Sequence, residues 1–256
     1  MFFGKIKRRI KYTIKRATRF CGYEIFPKKE GYNYIPSIYG GDARRLVDIK
    51  EMVSFGTLAK EAIDEGRTLL SYNKLYTAYQ VIENAAKNKN GAFYGAEVGV
   101  YKGGMSKFIT KTALQFSDQV NMYSIDTFAG HAANDIASID SNTHSAGKFN
   151  DASYEDVKKY LSGLPIQVIH GRIEDASRML ADKKFHFVHI DTDLYGPTKY
   201  ALTFFGERMM MGGVIVVDDA LSKTCPGVKK AIDEYIESGK NMRKFFLLTN
   251  QCIILF

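Results

Sequence analysis

Two stretches of this 256-residue chain end in the same way, and that repetition limits the folds open to it. FHFVHI at 185–190 runs into Asp191-Thr192-Asp193, and VIVV at 214–217 runs into Asp218-Asp219. Short continuous runs rich in Val, Ile and Phe read as strands buried on both faces, as in a parallel sheet covered by helices. Two neighbouring strands of this kind deliver four aspartates to one edge of the sheet. Crowded like charges are costly unless a cation or a shared proton compensates. Hard oxygen donors favour Mg2+, Mn2+ or Ca2+ over zinc. The other reading, for Asp193 or Asp219, is a cap on the helix that follows.

Further apolar runs at 92–98, 120–125, 166–169, 245–248 and 252–256 alternate with helical patterns. Those patterns fall at 106–115, 153–161, 176–181, 197–209 and 227–237. The alternation predicts an α/β fold with a doubly wound parallel sheet. The last two runs, joined across Thr249-Asn250, predict a terminal antiparallel hairpin. From 46 to 89 the pattern is helical, with Leu75, Tyr79 and Ile82 on one face. Residues 127–153 are polar and too long for an ordinary connection, which marks a lid or a disordered segment. Residues 21–45 mix Gly, Pro and Tyr without a period and read as an irregular extension, a candidate interface in a homo-oligomer. Cys21, Cys225 and Cys252 form no C-x-x-C, so the expected compartment is the reducing cytoplasm, without disulfides or a thiolate zinc site.

Ligands of open α/β sheets sit at the carboxyl ends of the strands. The first strand leads into Glu97-Val-Gly99-Val-Tyr101-Lys-Gly103-Gly104-Met-Ser106. Its glycines let the backbone turn tightly and approach a ligand, or serve a turn alone, and the spacing is not G-x-G-x-x-G. Asp126 ends the second strand, where an acid suits a pair of ribose hydroxyls or caps a turn. His170-Gly171-Arg172-Ile173-Glu174-Asp175 follows the third, where an adenine ring can be held or a helix simply starts. The histidines lack H-x-x-x-H and H-E-x-x-H spacing. His186 and His189 lie within a buried strand and read as structural, while His131 and His144 are candidate substrate contacts in the 127–153 stretch.

In this order the residues resemble class I S-adenosylmethionine-dependent methyltransferases. More narrowly, they resemble the macrocin O-methyltransferase (TylF-like) family of sugar O-methyltransferases. The matching pieces are EVGVYKGGMS (97–106), SIDTFAG (124–130), AGKFNDASYEDVKKYL (146–161), HGRIEDA (170–176), HIDTDLYGPTKYAL (189–202) and MGGVIVVDDALSKTCPGVKKAIDEY (211–235). The likeness runs from about residue 67 to the end, which divides the chain into a basic helix at 1–20, an extension at 21–66 and a methyltransferase domain at 67–256.

The resemblance implies a Rossmann-like fold, an S-adenosyl-L-methionine cofactor and a sugar or glycan acceptor. By it, Glu97, Gly99, Tyr101, Gly103 and Ser106 frame the methionine part of the cofactor, Asp126 holds the ribose, and Arg172, Ile173 and Asp175 border adenine. Asp191, Asp218 and Asp219 bind Mg2+ (or Mn2+), and Asp193 is the general base. A sugar hydroxyl, with a pKa near that of water (about 15.7), is too weak an acid for a free aspartate near 3.9. A divalent ion narrows the gap, and crowding by Asp191 is expected to raise Asp193. The chain departs from the family's usual D-S-F-x-G-L-P with Asp126-Thr-Phe-Ala-Gly130-His131-Ala132. Leu194 stands where catechol-methylating relatives carry a lysine base, which counts against a catechol substrate. Two competing readings are an NAD-dependent oxidoreductase, which lacks its glycine motif here, and a non-catalytic membrane-tethered binding module. A methyltransferase acting on nucleic-acid amines commonly carries N/D-P-P-Y/F, and this chain has no Pro-Pro.

The net charge of +8 resides in residues 1–20, which hold eight basic side chains and no acid; outside them, 28 basic residues balance 28 acidic ones. That placement disfavours a nucleic-acid partner. Ile6, Ile10, Ile14 and Ala17 recur at near-helical spacing among the lysines and arginines. Such a helix suits an anionic membrane surface, each nearby basic residue contributing about 1 kcal/mol, or docks on protein. A peripheral position on the inner face of the membrane follows from the first alternative. Removal of residues 1–20 is then expected to abolish sedimentation with vesicles of anionic lipid while methyl transfer to a soluble acceptor persists. Unaltered sedimentation would exclude the membrane role.

Overall fold

The computed structural model describes residues 53–239 and 242–256. The basic segment 1–20 and residues 21–52 of the extension lie outside them. Helices α1 (Val53–Asp64) and α2 (Tyr72–Lys87) divide the helical stretch that precedes the sheet. Ser71 caps α2, its hydroxyl accepting the Lys74 backbone N–H. Strand and helix then alternate as β1 (Phe93–Val98), α3 (Gly104–Leu114), β2 (Val120–Asp126), α4 (Tyr154–Tyr160), β3 (Ile166–His170), α5 (Ile173–Met179), β4 (Phe185–Ile190) and α6 (Tyr195–Gly206). β5 (Met209–Val217), α7 (Pro226–Glu237), β6 (Arg243–Phe246) and β7 (Cys252–Leu255) complete the order.

The strands form one sheet in the order β3-β2-β1-β4-β5-β7-β6. β1 to β5 are parallel, and β7 runs antiparallel between β5 and β6. This is the doubly wound sheet with a terminal antiparallel hairpin that the sequence predicts. Side-chain alternation sends Val188 and Ile190 of β4 to a core shared with α5, α6 and α7, and Phe187 to a second core with α1, α2 and α3. The chain winds outward in both directions from β1 and β4, so the crevice at their carboxyl ends is the topological switch point.

Register sets the rows of that crevice. Glu97 pairs with Ser124 on one side and His189 on the other. One row further, the Asp191 N–H donates to Val98 O (2.8 Å) and the Asp218 N–H to Ile190 O (2.8 Å). The 127–153 stretch holds a 3-10 turn (Ala133–Asp135) and is otherwise irregular, yet it is anchored. Fully buried Asp140 accepts the N–H groups of Tyr195 (2.9 Å) and Gly227 (3.1 Å), tying together the first turns of α6 and α7.

Three local expectations shift. The run at 209–211 continues the apolar pattern of a helix predicted to reach 209, but α6 stops at Gly206 and Met209 opens β5. A register shift between Phe185 and Phe187, with Gly212 at φ 79°, absorbs the extra residues as a bulge. β6 lies two residues earlier than predicted, because the turn into β7 places Asn250 at φ 69° and bonds its N–H to Leu247 O. Finally, α1 precedes the boundary drawn at residue 67, yet its Phe55, Ala59 and Ala62 belong to the second core. No helix among the described residues is long and apolar enough to cross a membrane.

Phe55 is fully buried, its ring 5.0 Å from that of Tyr76 and 5.5 Å from that of Tyr79. Phe55→Ala should cost about 3–5 kcal/mol in urea unfolding. A loss below about 1 kcal/mol would show that α1 stands outside the cooperative core.

Candidate active site

A cleft opens over the carboxyl ends of β1, β2, β4 and β5. Its glycine-turn half is built on Gly99, whose φ of 86° and close approach to the next loop exclude a side chain. A Cβ there would overlap the Asp191 carbonyl oxygen. Asp126 organises the same turn. Its Oδ2 accepts the N–H groups of Val100 (2.7 Å) and Tyr101 (2.8 Å), and its Oδ1 that of Phe128 (2.7 Å). Three of about four acceptor positions on the carboxylate are therefore occupied by backbone. The turn-cap reading of Asp126 is realised, and one acceptor position remains for a ligand.

Beneath the turn, Glu97 is almost completely buried. Its Oε1 lies 3.2 Å from His189 Nδ1, and its Oε2 accepts the Ser106 hydroxyl, which also meets Ser124 Oγ at 2.7 Å. Burial pushes the Glu97 carboxyl upward against the lowering effect of these bonds. Ser106 is fully buried and braces Glu97 from below. Gly103, at φ 86°, caps α3. Arg172 and Ile173 line the cleft, and Arg172 pairs with Asp135 from the 127–153 stretch; Asp175 is exposed on α5 and is not among the lining residues.

The opposite half is acidic. Oxygen atoms of Asp191, Asp218 and Asp219 lie within 4.8 Å of one another. Loss of hydration, followed by repulsion from Asp218, Asp193 and Asp219, raises the Asp191 carboxyl well above the usual range. Asp218 is raised by burial, with Lys74 opposing. Its Oδ1 is buried and has no hydrogen-bond partner. Lys74, from the first turn of α2, places Nζ 2.6 Å from Asp218 Oδ2 and 3.0 Å from Asp219 Oδ1. These carboxylates outweigh the burial of Lys74 and hold its ammonium far above its ordinary range. Asn250 Nδ2 donates to Asp219 Oδ1 (2.9 Å).

Asp193, at φ 60°, stands beside this cluster with both oxygens engaged. Cys225 Sγ is 3.4 Å from Oδ1 and His131 Nε2 is 3.5 Å from Oδ2. Burial alone would raise its carboxyl, but the His131 and Cys225 bonds and the nearby imidazoles bring it below the usual value. The expectation that crowding raises Asp193 is thus corrected: the upward shift falls on Asp191, because His131 and Cys225 face Asp193 while burial and three neighbouring carboxylates act on Asp191. His131 lines the cleft. His144 is buried behind it, its ring 5.0 Å from that of His131 and its Nε2 2.7 Å from Thr224 O. His186 is structural, accepting the Tyr94 N–H at 3.1 Å.

Lys74, Asn250, Cys225 and Asp140 are the participants that motif reading missed. Lys74, Asn250 and Asp140 come from elements remote in sequence, where local spacing carries no signal, whereas Cys225 lies within the 211–235 piece and only the closure of its loop brings it to Asp193. His189, read only as structural, supports Glu97 directly. Asp126→Ala strands three amides, and a lost bond to a charged acceptor costs about 1.5–3 kcal/mol. Stability in urea is expected to fall by about 2 kcal/mol or more, and S-adenosylhomocysteine affinity by calorimetry at least about tenfold. Unchanged affinity would detach the Asp126 turn from cofactor binding.

The fold matches that of solved methyltransferases. The O-methyltransferase NovP superposes with a TM-score of 0.64 at 22% identity, over 73% of this chain and 81% of that one. The calicheamicin methyltransferase CalS11 gives 0.57 at 17%, over 88% and 99%. An O-methyltransferase from Bacillus cereus in complex with SAH gives 0.54 at 10%, over 82% and 94%. At these identities the likeness establishes the Rossmann-like class I methyltransferase fold. No curated protein matches the chain by sequence. Residues 59–253, from α1 to the last strand, match the family described as Macrocin-O-methyltransferase (TylF), which sets aside the oxidoreductase and non-catalytic readings. The chain belongs to the macrocin O-methyltransferase family and is an O-methyltransferase.

Proposed function

We propose that the chain transfers a methyl group from S-adenosyl-L-methionine to a sugar hydroxyl of a glycan or glycosylated metabolite, with a divalent cation held by Asp191, Asp218 and Asp219. The observation that carries this reading is the presence, in one cleft, of three clustered carboxylates beside an ionised Asp193. The donor set fits Mg2+ or Mn2+, being all oxygen and including the buried, unpartnered Asp218 Oδ1. CalS11 is a TDP-rhamnose 3′-O-methyltransferase, which supports a sugar acceptor here. The basic segment 1–20 favours a membrane-linked glycan, as in surface polysaccharide synthesis, over a freely diffusing metabolite.

Gly99, Tyr101 and Asp126 would hold the cofactor from one side and Arg172 and Ile173 from the other, with Glu97, Gly103 and Ser106 fixing the turn from beneath. The cofactor contributes an electrophilic methyl group on a sulfonium. A divalent ion held by Asp191, Asp218 and Asp219 would supply acidification and alignment of the acceptor hydroxyl. Asp193 would accept the proton that the acceptor hydroxyl gives up when the methyl group passes from the sulfonium sulfur, which leaves as a neutral thioether, to the hydroxyl oxygen. Its lowered pKa keeps it ionised at neutral pH and leaves it too weak a base to act on an unassisted sugar hydroxyl. His131 and Cys225 fix the direction of its two oxygens, and His131, which lines the cleft beside Asp193, would contact the acceptor.

The deciding assay is radiolabelled methyl transfer to fractionated glycans of the source cell, with and without Mg2+. Asp191→Ala, Asp218→Ala and Asp193→Ala should each lower turnover by about a hundredfold or more. S-adenosylhomocysteine binding should stay within about threefold of the unaltered chain, since these residues act on the acceptor. Full turnover in EDTA would remove the metal from the reaction, and labelling of a non-glycan acceptor alone would remove the sugar.

A further inference from the structure

The acidic cluster already contains a cation supplied by the chain itself. Lys74 enters from α2, and its side chain is only 17% exposed. Its Nζ bonds two of the three clustered carboxylates, at 2.6 Å from Asp218 Oδ2 and 3.0 Å from Asp219 Oδ1. Asp219 Oδ1 also accepts from Asn250 Nδ2, so that oxygen has two donors, whereas buried Asp218 Oδ1 has none. The ammonium therefore neutralises the cluster incompletely, and the remaining oxygen points to a larger positive demand than one lysine meets.

We infer that the Lys74 ammonium and a divalent cation are alternative occupants of the Asp218–Asp219 pair, so that Lys74 fills the site in the metal-free protein and must withdraw before the ion can bind both carboxylates. The inference rests on the metal-assisted reading of this site and adds to it a residue that sets metal affinity. Its physical basis is geometric. Metal–oxygen bonds to Mg2+ are about 2.0–2.1 Å long, so an ion shared by Asp218 and Asp219 would come close to the position Nζ holds. Two cations at that separation in a poorly hydrated cleft repel strongly. The arrangement also explains how the carboxylates tolerate one another before the ion arrives, because a cluster without any cation would be severely destabilised. On release, the flexible four-carbon stem allows the ammonium to swing into the cleft that Lys74 lines.

The test uses the full chain and Mn2+ or Mg2+ alone. Mn2+ affinity is read by electron paramagnetic resonance for the unaltered protein, Lys74→Met and Lys74→Arg. The slowly exchanging Lys74 ammonium is followed by nitrogen-15 NMR, assigned by its loss in Lys74→Met. The inference predicts Mn2+ binding at least about tenfold tighter in Lys74→Met and within about threefold of the unaltered protein in Lys74→Arg. It also predicts loss or displacement of the ammonium signal on saturation with Mg2+. Equal or weaker Mn2+ binding in Lys74→Met would overturn it. So would a Lys74 signal unmoved by Mg2+ in a protein that binds the ion, because an ion held through Asp191 and Asp218 Oδ1 would leave the lysine in place. Binding by Lys74→Met but not by the unaltered protein would keep the inference and refute the metal-assisted reading. Binding by neither would refute both. If Lys74→Met does not fold, Lys74→Gln takes its place with the same criteria.

Discussion

Mutual repulsion among Asp191, Asp193, Asp218 and Asp219 is the constraint around which the rest of the site is arranged. Parallel strands in register bring these groups together whether or not their charges are compatible, since the Asp191 and Asp218 amides continue the ladder from Val98 and Ile190. The fold answers with different partners for different carboxylates. Lys74 and Asn250 attend to Asp218 and Asp219, while His131 and Cys225 attend to Asp193. Asp191 bears the repulsion most heavily. Chemically equivalent side chains within a few ångströms thereby acquire different protonation behaviour, which is a precondition for assigning them different tasks.

Around this edge the support is layered. Glu97, His189, Ser106 and Ser124 form a hydrogen-bonded group under the glycine turn, and the strand register alone places Glu97 between Ser124 and His189. Asp126 ties the turn from the side through backbone amides. Asp140 anchors the long irregular stretch to two helix starts, which holds His131 over Asp193 in spite of the scarcity of regular structure there. A stretch with the composition of a loose loop is in this way given a defined position by one buried carboxylate. Its His131 occupies the place where the chain leaves the family's usual motif, and it lines the cleft beside Asp193.

The strands, their order of alternation and the terminal hairpin were legible because burial on both faces demands continuous apolar runs, and such runs survive as local patterns. Legibility failed where a pattern was ambiguous between periods. Met209 to Met211 extends a helical stripe as well as a strand, and only the bulge opposite Phe185 and Phe187 decides for the strand. The carboxylates after β4 and β5 were equally legible, as each lies directly beyond an apolar run. Lys74 was not, because nothing in the first turn of a helix records that it will face a strand end 144 residues later.

The amino-acid sequence by itself determined which residues lie at the carboxyl edge of the sheet, because strand periodicity and the position of each aspartate after its strand are properties of neighbouring residues. Only the tertiary structure decided what each of those residues does to the others. Charge balance, hydration and hydrogen bonding depend on distances between segments, and these exist only once α2, the 127–153 stretch and the loop carrying Cys225 close over the strand ends. The direction of the Asp193 shift, the bracing role of Ser106 and the cation that Lys74 supplies all follow from that closure.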